Sequence, residues 1–116
     1  MALDLNIKVR EENGLPVVDL IGEIDVYTYP QLNEVINKLI GESKYNIVIN
    51  MAEVKYIDST GLGVLASSAN KISSHNGVLH IVSTPPQIKK IFIVSGLLEK
   101  NFKIYDTAAE ALQALA

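Results

Sequence analysis

Leu3, Leu5, Ile7 and Val9 alternate with Asp4, Asn6, Lys8 and Arg10, the period of two that marks a strand with one face in solvent. Glu11-Glu12-Asn13-Gly14 supplies a turn, and Asn-Gly favours the tight hairpins that need positive φ. Val17-Val18-Asp19-Leu20-Ile21 is therefore expected to pair back antiparallel, leaving the first strand at a sheet edge. A polar loop over 22–28 follows. Leu32, Val35, Ile36, Leu39 and Ile40 then fall on one helical stripe. Thr28 and Gln31 have capping-box spacing, Pro30 suits a first turn, and Gly41 suits a C-terminal stop.

Ile47-Val48-Ile49 is a continuous apolar run, which predicts a central strand covered on both faces. Leu62, Leu65, Ala66, Ala69 and Ile72 mark a second amphipathic helix that stops at Asn76-Gly77. Val78 to Val82 is another strand, and Ser83-Thr84-Pro85-Pro86 opens a third helix with Ile88, Ile91 and Phe92 inward and Gly96 as its stop. Phe102 to Tyr105 forms a last short strand. Thr107 and Glu110 cap a fourth helix carrying Leu112 and Leu115. The order β-β-α-β-α-β-α-β-α predicts an α/β fold with a largely parallel sheet, right-handed crossovers and an antiparallel N-terminal edge strand. No linker, repeat or low-complexity stretch divides residues 1–116, so one domain is expected.

Composition narrows the function classes. The chain has 116 residues, 48% of them hydrophobic, enough for a core without staples. A net charge of −3 gives no electrostatic reason to expect nucleic acid or an anionic membrane surface as partner. With no cysteine, disulfides, thiolate metal sites and thiol nucleophiles are excluded. The apolar stretch 88–98 is interrupted by charges and is shorter than the ~20 residues a membrane span needs. A soluble protein is expected.

The stretch Lys55-Tyr56-Ile57-Asp58-Ser59-Thr60-Gly61-Leu62-Gly63-Val64-Leu65 sets an acid, two hydroxyls and two glycines ahead of an apolar helical pattern. With Asp58 as N-cap, Ser59 and Thr60 fall in the first turn, where unpaired N–H groups and the helix dipole welcome an anion. A phosphate on Ser59 would sit in that field. Gly61 and Gly63 each weaken a helix by ~1 kcal/mol relative to alanine, which fits close approach of another protein's backbone. The plainer reading is a well-made cap with glycines that let helix pack on sheet, and spacing alone does not separate the two. Gly22-Glu23-Ile24-Asp25-Val26-Tyr27 follows its own strand, and in an open parallel sheet such loops line the ligand-binding edge. The two acidic loops are expected to meet there.

These residues resemble a known family, the STAS domain, and within it the bacterial anti-sigma factor antagonists. Gly22-Glu23-Ile24-Asp25 with Tyr27 and Pro30, the block from Tyr56 to Val64, and Ile91-Phe92 with Ser95-Gly96-Leu97 look like its signatures. The resemblance implies that Ser59 is phosphorylated by the anti-sigma factor, itself an ATP-dependent serine kinase, and dephosphorylated by a phosphoserine phosphatase. Thr60 stands beside it as a secondary acceptor. It further implies that the unphosphorylated form captures the anti-sigma factor and frees the sigma factor. Glu23, Asp25, Tyr27, Asp58, Thr60, Gly61 and Gly63 would form the partner-binding face. No cofactor, nucleic acid or membrane is implied, and a cytoplasmic location is. The alternative is a STAS module of a sensory or lipid-transport complex. Phe92-Ile93-Val94 departs from relatives that carry a polar residue there.

Other chemistries fit less well. Gly61-Leu62-Gly63-Val64-Leu65-Ala66 matches a Gly-x-Gly-x-x-Ala pattern, but the next strand ends in Val82-Ser83, where a dinucleotide site wants an acid. A phosphoaspartate receiver needs paired acids after its first core strand, and Glu11-Glu12 lies in the hairpin. No nucleophile elbow or phosphate-binding Lys loop marks an enzyme. His75 and His80 read as structural residues. Glu23, Asp25 and Asp58 would make a Mg²⁺ site only alongside a partner's nucleotide.

Overall fold

The computed structural model describes residues 4–96 and 102–115. Leu3, Leu97 and Leu98, invoked above, lie outside them. The order of elements is the expected one: β1 (Leu5–Glu12), β2 (Leu15–Ile24), α1 (Tyr29–Gly41), β3 (Asn46–Ile57), α2 (Ser59–Ser73), β4 (Val78–Val82), α3 (Pro86–Ser95), β5 (Phe102–Tyr105) and α4 (Ala108–Leu115). One five-stranded sheet runs in sequence order, with β1 antiparallel to β2 and all other neighbours parallel.

Asn13 and Gly14 take φ of 51° and 79°, the two positive values of a type I′ turn, so the hairpin closes directly on the pair Glu12 and Leu15. Glu11 and Glu12 are strand residues, not turn residues. The strand order advances one way from β2 to β5, and crossovers of a single hand then stack their helices on one face. Leu32, Ile36 and Leu39 of α1, Leu65 and Ile72 of α2, and Ile88 and Phe92 of α3 accordingly share one core with Leu20, Ile49 and Ile81. The opposite face is covered by α4, whose Ala111 packs on Val17, Val48 and Val82.

Helix termini follow backbone chemistry more than the letters. Thr28 precedes α1 without any side-chain cap bond, so the expected capping box with Gln31 is absent; its hydroxyl is engaged upstream. α1 ends at Gly41 as expected, but Gly41 does not supply the left-handed residue of the stop. Ser43 takes φ 63° instead, with Ser43 N–H donating to Ile40 O at 2.9 Å and Lys44 N–H to Leu39 O at 3.0 Å, a Schellman motif on a non-glycine residue. The same pair of bonds ends α2 at Asn76 and Gly77, as the sequence predicts. Gly96 closes α3 at φ 75°, and Thr107 Oγ1 accepts from Glu110 N–H at 3.2 Å ahead of α4.

The largest departure is β3. Its burial runs continuously from Ile47 to Ile49, as predicted, but the strand goes on to Ile57. Asp19 pairs with Asn50 and Ile21 with Glu53, then Gly22 with Val54 and Glu23 with Tyr56. Each step gives β3 one residue more than β2, so two bulges lie in the strand that leads into the serine-bearing segment. Asn50 Oδ1 accepts from Ala52 N–H at 3.1 Å within the first bulge. β2 likewise runs past Ile21 to Ile24, which leaves a polar loop of only residues 25–28.

Candidate functional site

The bulges decide where the end of β3 faces. Ile57 lands opposite Ile24, and Asp58 N–H donates to Ile24 O at 3.1 Å. The ends of β2 and β3 are thereby locked side by side, and the two acidic segments meet at the carboxyl edge of the sheet as the sequence suggests. Asp58 has extended backbone and caps α2: one oxygen, Oδ1, accepts from Thr60 N–H at 2.9 Å and Gly61 N–H at 3.1 Å. Leu62 N–H donates to Asp58 O at 3.0 Å to begin the helical ladder.

Ser59 is the first residue of α2 and is exposed, while Thr60 behind it is half-buried. The hydroxyl thus stands at the positive end of a fifteen-residue helix. Two of the first-turn donors beside it, the N–H groups of Thr60 and Gly61, are already taken by Asp58, so the site differs from an empty anion cradle.

Asp25 does not face the surface. It is 3% exposed, and its Oδ1 accepts from Tyr27 N–H at 2.8 Å and Thr28 N–H at 3.0 Å. Thr28 Oγ1 accepts from Asp25 N–H at 3.0 Å and donates to Glu23 O at 2.8 Å. This internal lattice of bonds replaces the expected cap on α1 and fixes a four-residue turn, with Asp25 as its inner brace. Asp25 Oδ2 is buried with no partner among the described residues. Of the three acids expected on the partner-binding face, Asp58 adjoins the serine half-buried and Glu23 is half-buried in β2, while Asp25 is turned inward and its place on that face is corrected.

The tight turn pushes apolar groups out. Tyr27 is 78% exposed and Val26 55%, and Tyr56, paired with Glu23 across β2 and β3, is 47% exposed. Tyr27 was legible in the sequence. Val26 and Tyr56 were not singled out, although an aromatic residue at an outward strand position next to the serine was the available signal.

The two glycines of α2 separate cleanly. A Cβ on Gly61 would lie 2.6 Å from Ile24 Cγ2 and 2.8 Å from Ile57 Cγ1. Gly61 is there so that helix packs on sheet, and its assignment to partner approach is corrected. A Cβ on Gly63 would meet nothing within 4 Å, so that position alone leaves open space on the outer face. No group of three or more His, Asp or Glu side chains able to hold a metal occurs among the described residues, nor any helix long and apolar enough to cross a membrane.

A five-stranded sheet with a leading antiparallel hairpin and a capped serine at the third strand's end defines a class of small α/β regulatory domain. The STAS domain family model matches residues 6–111, and the chain belongs to that family. It is 33% identical, over 82% of its own length and 88% of the relative's, to an anti-sigma-B factor antagonist of Staphylococcus epidermidis. The crystal structure of an anti-sigma factor antagonist from Mycobacterium paratuberculosis superposes with a TM-score of 0.87 at 30% identity, covering 96% of this chain and 93% of that one. The Bacillus cell fate determinant SpoIIAA, solved in its phosphorylated form, shares the fold at a TM-score of 0.74 and 21% identity over 96% of this chain and all (100%) of that one.

Proposed function

We propose that this chain is an anti-sigma factor antagonist switched by phosphorylation at Ser59. Unphosphorylated, it captures an anti-sigma factor that is itself a serine kinase and so releases the sigma factor. Phosphorylation ends the capture, and a phosphoserine phosphatase restores it. The observation that carries the reading is exposed Ser59 at the head of α2, on the sheet edge where Val26, Tyr27 and Tyr56 are also exposed. Aromatic anchors around a small polar centre are what a protein interface uses. The names of the relatives support the same role.

The switch follows from charge. A phosphoserine adds about −1.5 to −2 charges at neutral pH. Because Asp58 Oδ1 already takes the N–H groups of Thr60 and Gly61, the phosphate cannot fold onto those two donors without displacing the cap. It stays displayed to the partner, beside Asp58 and on the same sheet edge as the exposed apolar residues. Desolvating it on docking is unfavourable unless the partner supplies cations. Asp25, turned inward, acts by holding the turn that presents Val26 and Tyr27.

The test is intact mass before and after incubation with an anti-sigma factor kinase and ATP, on wild type and Ser59→Ala. One phosphate on wild type and none on the variant is expected. Label persisting on Ser59→Ala moves the acceptor to Thr60, and no label with any candidate kinase removes the switch. Capture is tested separately: Ser59→Asp should weaken anti-sigma factor binding with an unchanged melting temperature, and unaltered affinity overturns the charge mechanism.

A further inference from the structure

The outer edge of β1 carries a row of backbone groups that the sheet does not use. The two-residue turn makes Glu12 and Leu15 a hydrogen-bonded pair, so in the register Arg10 with Val17, Lys8 with Asp19 and Asn6 with Ile21 the even residues bond β2. Glu23 N–H donating to Asp4 O at 3.0 Å continues the alternation. The N–H and C=O of Leu5, Ile7 and Val9 therefore point away from the sheet, since β1 is its terminal strand. The side chains of these three lie on the α1 side, where Val9 is 49% exposed. A groove of about 500 Å³ runs there between β1 and α1, lined by Leu5, Ile7 and Val35 among others, and Val9 and Leu39 continue it.

We propose that this edge is a homodimer interface, in which two copies pair β1 antiparallel about a two-fold axis at Ile7 and join their five-stranded sheets. The charges choose the partner and the register. Opposed residues in a continuous sheet must share a face, so only registers that match parity are open. With Lys8 opposite itself, like charges face each other and Leu5 meets Glu11. With Val9 opposite itself, Lys8 meets Arg10 and Ile7 meets Glu11. With Ile7 opposite itself, Leu5 meets Val9 of the second copy, Asn6 meets Lys8, and Asp4 meets Arg10. Apolar residues then cover each other on the α1 side, and on the other Asp4 meets Arg10 as an unlike pair while Asn6 gives Lys8 a neutral partner. Arg10 is held in place for this, its guanidinium bonded to Asp19 Oδ2 at 2.7 Å and to Glu12. The same charged residues discourage unspecific edge pairing, which is how an exposed edge is kept selective. Ser59 lies two strands inward, beyond β2, and the proposal is independent of its modification.

Sedimentation equilibrium of the full chain over a wide concentration range tests it with three exposed substitutions. Asn6→Glu places a carboxylate against Lys8 of the second copy, twice per dimer, and should lower the dimer Kd about two- to thirtyfold. Asn6→Lys and Asp4→Lys set like charges against Lys8 and Arg10 and should raise it by a similar factor. Amide exchange at Leu5, Ile7 and Val9 should slow as concentration rises. A chain that stays monomeric throughout, a Kd indifferent to these changes, or exchange at the three amides that ignores concentration overturns the interface. Tightening by Asp4→Lys overturns the Ile7-centred register in favour of Lys8 opposite Lys8.

Discussion

Gly61 and Gly63 sit two residues apart in one helical turn and have unrelated jobs. Gly61→Ala drives a methyl into Ile24 and Ile57, an overpacking expected to destabilise by about 1–3 kcal/mol, read as a lower urea midpoint. Gly63→Ala meets only open space and gains helix propensity, so it should stabilise by up to ~1 kcal/mol while weakening anti-sigma factor capture. A stability loss at Gly63 or none at Gly61 reverses that assignment. The sequence offered both as signs of close approach and carried no cue to which neighbour approached, because the distinguishing atoms belong to Ile24, remote in sequence. For Asp25 the same blindness applied: a carboxylate in a Gly-Glu-Ile-Asp run reads as solvated, and only the turn through Thr28 reveals that its bonds are internal.

At the level of elements, α2 depends on its first turn. Asp58→Ala removes the acceptor for two N–H groups and should cost about 0.5–2 kcal/mol in chemical denaturation, with Asp58→Asn retaining most of it. A loss as large for asparagine as for alanine points to the charge, not the cap. α1 and α2 were legible from periodicity, since each buries one clear stripe, whereas α4 buries Ala111 and leaves the expected Leu112 and Leu115 half-buried. β3 was not legible beyond Ile49. Its inward residues after that point, Met51, Val54 and Ile57, are spaced by three because each bulge absorbs a residue, and a spacing of three has no strand signature. The αL residue Ser43 was missed for a kindred reason: nothing in a serine announces positive φ, while Gly41, the helix's last residue, advertised a left-handed turn that falls two positions later.

Over the whole molecule, the two faces of the sheet differ in what they tolerate. The face under α1, α2 and α3 is largely apolar, with the small hydroxyl of Ser68 on α2 also buried, whereas the α4 face buries a titratable ring, His80, 1% exposed on β4. Its Nδ1 lies 3.3 Å from Tyr105 Oη and its Nε2 3.2 Å from Asn46 Oδ1, a pairing satisfied by the neutral ring with Nε2–H donating. Burial, and then the positive charge of Lys103, hold its pKa down to about 4 from 6.5. The unfolded chain therefore takes up this proton at higher pH than the folded one. The contribution is fully present above pH 6.5 and is lost as pH falls toward 4. The melting temperature of wild type should decline between pH 6.5 and about 5, above the main carboxylate range, and that of His80→Phe should stay nearly flat there. Equal slopes for the two proteins would remove His80 from the account. That His80 is structural was readable from its place inside an apolar run; its two polar partners, from β3 and β5, were not.

The paired bulges of β3 work like a frame setting in a message. Deleting Ala52, which is exposed, would leave every buried side chain in the composition yet displace the rest of the strand by one residue, about 3.3 Å, and half a turn of the pleat. Ile57 would exchange faces with a neighbour and the serine would be delivered to the wrong side of the edge. The spare residues that make β3 hard to read are the ones that aim its far end.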